Sequence, residues 1–164
     1  MSNKICIYPG TFDPVTLGHM DIIRRAAGIF DEVYVGMLIN QQKKFYFTQE
    51  QRMEMLREAT KNIEHVYVES FDGLLIDYAN AKGARFVVRG IRNATDYEYE
   101  QQMAVINRTL KPDLETVFLT ASAGMDVVSS TFVRELIAFD ADLSGFVPPC
   151  VYEYIKNCRS AQHR

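Results

Sequence analysis

Hydrophobic positions in this chain follow two alternating patterns. Short unbroken apolar blocks read as strands covered on both faces, and between them apolar residues recur every three or four positions, as on one side of a helix. The first block, Lys4-Ile5-Cys6-Ile7-Tyr8, runs into Pro9-Gly10, which is expected to end it. A helical pattern follows from about Gly18 to Phe30, with Met20, Ile23, Ala27 and Phe30 on its buried side. Val33 to Ile39 is the second strand, and Thr48 with Gln51 three positions on predicts a capping box that opens a helix to about Lys61. Val66-Tyr67-Val68 reads as a short strand, Asp72 as the cap of a helix reaching Lys82, and Gly83 as its end. Arg85 to Arg89 is a strand stopped by Gly90, Asp96 to Leu110 a helix closed by Pro112, and Thr116 to Thr120 the fifth strand. Ser129 or Ser130 caps a helix through Ala138, and Pro149 starts a last helix through Cys158.

Five strands alternating with helices predict an α/β fold, an open and mainly parallel sheet with helices on both faces and right-handed crossovers. With no internal repeat and no linker, residues 1–164 are expected to form a single domain, including the C-terminal helix from about 149. In such sheets ligands bind beyond the carboxyl ends of the strands, where the strand order reverses. Chemistry is therefore expected in the loops after Tyr8, Ile39, Arg89 and Thr120.

Composition narrows the options. A formal net charge of -3 argues against broad electrostatic binding to nucleic acid or an anionic membrane, yet leaves room for a local basic pocket. Cys6, Cys150 and Cys158 are odd in number and lack C-x-x-C spacing, so reduced thiols are expected rather than a disulfide framework or a zinc site. The first apolar run is too short for a signal peptide and no segment approaches transmembrane length, which makes the cytoplasm the expected location.

After the first strand, Gly10-Thr11-Phe12-Asp13-Pro14 leads to Thr16-Leu17-Gly18-His19 at the opening of the first helix. A helix start offers free N–H groups and partial positive charge, which favour phosphate. Gly18 is expected to leave room for a ligand there, and His19 to project a ring nitrogen towards it. Ser129-Ser130-Thr131, at another helix start, can either cap the helix or help hold phosphate oxygens. Arg89 and Arg92 follow the fourth strand, where two guanidinium forks suit a polyphosphate; the alternative is salt bridges to Glu98 or Glu100. Lys43 and Lys44 lie in the polar loop from Asn40. His65 and His163 fit no motif. Neither G-x-x-x-x-G-K-[ST] nor G-x-G-x-x-G occurs, which argues against P-loop and ordinary dinucleotide sites.

Thr16-Leu17-Gly18-His19 is similar to the T/H-x-G-H signature of a nucleotidyltransferase superfamily, and Val128-Ser129-Ser130-Thr131-Phe132-Val133-Arg134 resembles its I-S-S-T-x-x-R signature. Together with Gly10-Thr11-Phe12-Asp13-Pro14, Arg89-Gly90-Ile91-Arg92 and Asp96-Tyr97-Glu98-Tyr99-Glu100, they make the chain from Ile7 to about Tyr152 resemble the bacterial phosphopantetheine adenylyltransferase family. The resemblance implies a Rossmann-like fold and a step of coenzyme A biosynthesis. In that step AMP passes from ATP to 4′-phosphopantetheine by direct in-line displacement, giving dephospho-coenzyme A and pyrophosphate. It implies His19 and Lys43 as catalytic residues. It implies ATP contacts from Thr11, Phe12, His19, Gly90, Ile91 and Arg92, from Glu100 at the sugar, and from the run Met125, Asp126, Val127, Val128, Ser129, Ser130 and Thr131. For the acceptor it implies Thr11, Lys43, Leu75 and Arg89.

Mg²⁺ is expected to enter with ATP, without dedicated protein ligands. The resemblance also implies a homo-hexamer and makes coenzyme A a candidate feedback inhibitor. Gln42 and Phe45 depart from the family pattern, in which small residues or proline are common beside the lysine, so which of Lys43 and Lys44 reaches the reaction centre stays open. The same signatures serve other transfers, such as CMP to a polyol phosphate or AMP to nicotinamide mononucleotide. A nucleotide sensor without catalysis is a further alternative. A class I aminoacyl-tRNA synthetase is excluded by the short chain and its acidic balance.

Overall fold

A computed structural model describes residues 3–40 and 42–162. Strand β1 (Ile5–Gly10) lies at the centre of the sheet, between β2 (Glu32–Ile39) and β4 (Phe86–Ile91). With β3 (Val66–Asp72) and β5 (Glu115–Thr120) the order is β3-β2-β1-β4-β5, and every pairing is parallel, not merely most of them. The chain lays three strands in one direction and then returns to the other side of β1. The reversal puts the carboxyl ends of β1 and β4 side by side, the crevice that doubly wound sheets use for ligands.

Alternation along the strands builds a core on each face. Cys6, Tyr8, Val33, Val35, Met37 and Val88 join buried side chains of α1 (Leu17–Ala27), α2 (Gln49–Thr60), α5 (Ser130–Ala138) and α6 (Pro149–Gln162). Ile7 and Val87, on the opposite pleat, pack with Tyr78 and Ala79 of α3 (Leu75–Lys82). The remaining helix, α4 (Ala94–Leu110), lies along β4 and β5 with none of its residues buried.

Several boundaries differ from the sequence expectation for identifiable reasons. β1 runs on through Pro9 and Gly10, which pair with Gly36 and Met37. Proline lacks only the amide donor, and the Pro9 carbonyl accepts from Arg89 at 2.7 Å. β4 likewise continues through Gly90 to Ile91 because β5 pairs with it to the end. β3 reaches Asp72, opposite Ile39, so Asp72 belongs to the strand and caps nothing. Its carboxylate accepts from the Gly73 amide, and Leu74 opens α3 without a side-chain cap. α1 stops at Ala27, although Phe30 beyond it is buried as expected.

The expected capping box of Thr48 and Gln51 is present, and Gly83 ends α3 in the left-handed region at φ 64°. Among the described residues no helix is long and apolar enough to cross a membrane. His163 lies outside the described residues.

Candidate active site

A cleft of about 820 Å³ opens over the carboxyl ends of β1 and β4. The β1 loop brings Thr11 to it, the start of α1 brings Gly18 and His19, and the loop after β2 brings Lys43 together with Lys44. The end of β4 contributes Arg89, Gly90, Ile91 and Arg92, and α4 contributes Glu100. Met125 and Val128 come from the loop after β5, followed by Ser129, Ser130 and Thr131 at the start of α5. Residues more than a hundred positions apart thus meet in one site.

Four expected site residues are not brought into it. Phe12 is 1% exposed and lies beneath the cleft, so its side chain is unavailable to a ligand. Asp126 and Val127 are exposed and do not line the cleft, although their neighbours Met125 and Val128 do. Leu75 sits at the start of α3, half-buried against the second core.

Local geometry fixes the state of His19. Thr16 caps α1, its hydroxyl accepting from the His19 amide, while the Thr16 amide donates to His19 Nδ1 at 3.0 Å. His19 takes the place in this capping box that Glu or Gln more often fills. With Nδ1 accepting, the ring proton belongs on Nε2, leaving a neutral imidazole with one donor. Burial, reinforced by the positive charges of Arg89 and Arg92, pushes His19 from its ordinary 6.5 down to about 4. The ring is further held by Phe12, edge-on at 5.0 Å between centroids. Phe12 adopts a left-handed backbone (φ 47°), uncommon for a bulky residue, and its ring occupies the space that Gly10 leaves open. A Cβ at Gly10 would sit 2.9 Å from that ring. Gly10 therefore serves a strand and an aromatic ring, rather than the tight turn expected of it.

Both arginines have carboxylate partners. Arg89 engages both oxygens of Glu100, with Nε at 2.8 Å, and its Nη1 donates to the Pro9 carbonyl. Arg92 pairs with Asp96, not with Glu98, at 2.9 and 3.1 Å. A guanidinium carries five N–H groups, and the contacts of Arg89 use three, so ion pairing orients the fork without exhausting it. Asp96 is held below the usual carboxylate range by its bonds to Arg92, which outweigh partial burial.

At the start of α5, Ser129 caps the helix by accepting from the Phe132 amide, and the Ser130 hydroxyl donates to the Pro14 carbonyl at 2.8 Å. The Ser130 proton is thereby used, while the Ser129 hydroxyl keeps its own proton to donate, and the first-turn amides of Ser130 and Thr131, residues that line the cleft, have no intrahelical acceptor. Gly18 has a different partner from the one expected. A Cβ there would sit 3.3 Å from the Val128 carbonyl and 3.7 Å from that of Met125, so the glycine mainly admits the loop after β5 against α1.

Sequence reasoning gave no role to Asp13 and Arg134, which line the cleft, nor to Arg52, which bonds the Thr11 carbonyl from behind it. Asp13 and Arg52 are the buried charged side chains among the described residues, and Arg134 donates to the Asp13 carbonyl at 2.7 Å. The available signal for Arg52 was an arginine within the apolar stretch Met53, Met55 and Leu56 of α2.

The pattern of the cytidylyltransferase-like family matches residues 7–136. The phosphopantetheine adenylyltransferase of Heliobacterium modesticaldum is 48% identical over 147 residues, covering 90% of this chain and 88% of the relative. The chain belongs to the phosphopantetheine adenylyltransferase family. The same is seen for the namesake enzymes of Ralstonia pickettii, 49% identical with 93% of this chain and 91% of the relative covered, and of Acidovorax sp. (strain JS42), 47% identical with 93% of each covered. Membership makes the chain a nucleotidyltransferase, and the cleft has the makings of such a site: a neutral donor in His19, lysines and arginines around it, and a helix start opposite.

Proposed function

We propose that this chain transfers AMP from ATP to 4′-phosphopantetheine, releasing pyrophosphate and dephospho-coenzyme A, as a cytoplasmic enzyme of coenzyme A biosynthesis. The observation that carries the reading is a tautomerically fixed, neutral His19 set among Lys43, Arg89 and Arg92 at the switch point. The acceptor phosphate already carries its attacking oxygen, so no base is needed to generate it. That oxygen attacks the α-phosphorus, the bond to the bridging oxygen breaks on the opposite side, and pyrophosphate leaves with the electron pair. Two anions must approach, so positioning and positive charge dominate.

His19 Nε2–H donates to an α-phosphate oxygen as charge builds there. Lys43, Thr11 and Arg89 orient the acceptor phosphate, and Leu75 borders the path of its pantetheine arm. Arg92 and the start of α5 hold the outgoing pyrophosphate. Glu100 fixes Arg89 and lies on the nucleotide-sugar side, while the backbone at Phe12, Gly90, Ile91 and residues 125–128 encloses the nucleotide. Among the described residues no three His, Cys, Asp or Glu side chains converge to hold a cation, and Arg92 and Arg89 occupy Asp96 and Glu100. That donor set fits Mg²⁺ that would be held chiefly by triphosphate oxygens and water. When bound, the ion neutralises part of the triphosphate charge.

The whole chain, α6 included, acts as one nucleotidyltransferase domain with small-molecule partners, neither nucleic acid nor membrane. A homo-hexamer is supported by the uncovered apolar residues of α4, and coenzyme A, which carries the product's groups, is the proposed feedback ligand. The deciding measurement is pyrophosphate release from Mg-ATP with and without 4′-phosphopantetheine. Release that requires the acceptor and yields dephospho-coenzyme A is expected; release only with CTP, or only with another phosphorylated acceptor, would overturn the assignment.

A further inference from the structure

Asp13 and Arg52 are 4% and 2% exposed, and each bridges the β1 loop and the loop that carries Lys43 and Lys44. The two carboxylate oxygens of Asp13 accept separately from successive amides, Tyr46 at 2.8 Å and Phe47 at 2.9 Å. Arg52 works from the other side. Its Nη1 donates to the Thr11 carbonyl at 2.8 Å, and its guanidinium lies 3.9 Å from the centroid of the Phe45 ring. Taking a carboxylate and a guanidinium out of water is costly unless each is well partnered, and here Arg52 Nε still has no partner. Packing alone would be served as well by apolar side chains of similar size. The charges instead bond to main-chain groups of the two segments that present Thr11 and Lys43 to the cleft.

We propose that Asp13 and Arg52 form a buried clasp that sets the lysine loop against the β1 loop, acting as positioning residues for the acceptor phosphate during transfer. The proposal rests on the reading above that Lys43 and Thr11 orient that phosphate. Lys43 itself is exposed, on a segment without regular structure, and its amide bonds only locally to the Asn40 carbonyl. Without an anchor, a long flexible side chain on such a loop would have to be ordered anew in each turnover. The clasp supplies the anchor two and three residues beyond the lysines. Arg134, donating to the Asp13 carbonyl, ties the same point to α5 and so to the other wall of the cleft. Neither Asp13 nor Arg52 touches the reacting atoms, so their influence passes through the lysine loop.

The test is a double-mutant cycle. Asp13→Asn keeps the volume, removes the charge, and turns an NH₂ group towards one of the two amides. In the otherwise unchanged enzyme it is expected to lower acceptor-dependent turnover by roughly 10- to 100-fold, the scale of a small misplacement of reacting groups. The affinity for a non-hydrolysable ATP analogue should stay within about twofold, and trypsin should cut faster after Lys43 and Lys44. In a K43A/K44A background the same substitution should cost less than about threefold, because residues acting as one unit are not additive. Arg52→Lys, which keeps the charge but loses the fork and the flat stack, is the second variant and is read the same way if Asp13→Asn fails to fold. An equal loss in both backgrounds, or wild-type turnover, would overturn the clasp. If K43A/K44A alone leaves turnover intact, the lysine-loop reading fails first, and that result is distinct from a failure of the clasp.

Discussion

Thr16 and His19 satisfy each other within a single turn, and the result is a histidine with one defined tautomer. In the free enzyme its NMR titration should have a midpoint at about 4, with the proton on Nε2; a midpoint near the ordinary 6.5 would refute the assignment. Stability follows from the same shift. As pH falls below 6.5 the unfolded chain takes up a proton that folded His19 refuses, so stability declines between about 6.5 and about 4 and levels off below. Melting temperatures across that window should therefore drop more for the wild type than for His19→Gln, which preserves the capping box without the titration. His19→Ala should lower kcat by roughly 10²- to 10³-fold with little effect on nucleotide binding. The sequence motif was enough to single out His19, but its charge state was not legible there, because it depends on the Thr16 amide and on arginines some seventy residues away. The clasp was hidden for a similar reason: Asp13 sat in plain view inside a recognised motif, but its partners are amides, which no residue type announces.

Helix starts carry much of the site, and those of α2 and α5 were legible because their capping is local, unlike that of α3, which Leu74 opens without a side-chain cap. Thr48 with Gln51 and Ser129 with the Phe132 amide obey short-range rules. Thr48→Ala should cost about 1 kcal/mol in urea denaturation. Strand ends were less legible, since a strand stops where its neighbour stops: Asp72 looks like a cap until Ile39 of β2 is found beside it. Gly18 illustrates the same dependence on a distant partner. Gly18→Ala should raise the KM for ATP several-fold while changing saturated turnover less, because the new methyl group would press on the Val128 carbonyl and displace the nucleotide loop. An unchanged KM would show that the loop gives way without consequence.

Across the whole molecule, the alternation of strand and helix was sufficient to predict the sheet, its direction and the edge at which ligands bind. What it left out is the outer face of α4, where Tyr99, Ile106 and Leu110 stay exposed on one side of the helix. If that face is buried between copies, Ile106→Glu should reduce the sedimentation coefficient to that of a smaller species, and an unchanged value would move the contact elsewhere. The strand order has one more consequence, felt while the chain is being made. β1 is synthesised first but acquires its second neighbour, β4, only after β2, β3 and their helices have emerged. At about 5–20 residues per second, one edge of the central strand waits roughly 3–10 s after β2 is complete before its partner exists. During that interval a nascent chain offers an unpaired edge to its neighbours on the same messenger, so crowding of ribosomes, more than the stability of the finished fold, is expected to govern how much of this protein is lost to aggregation.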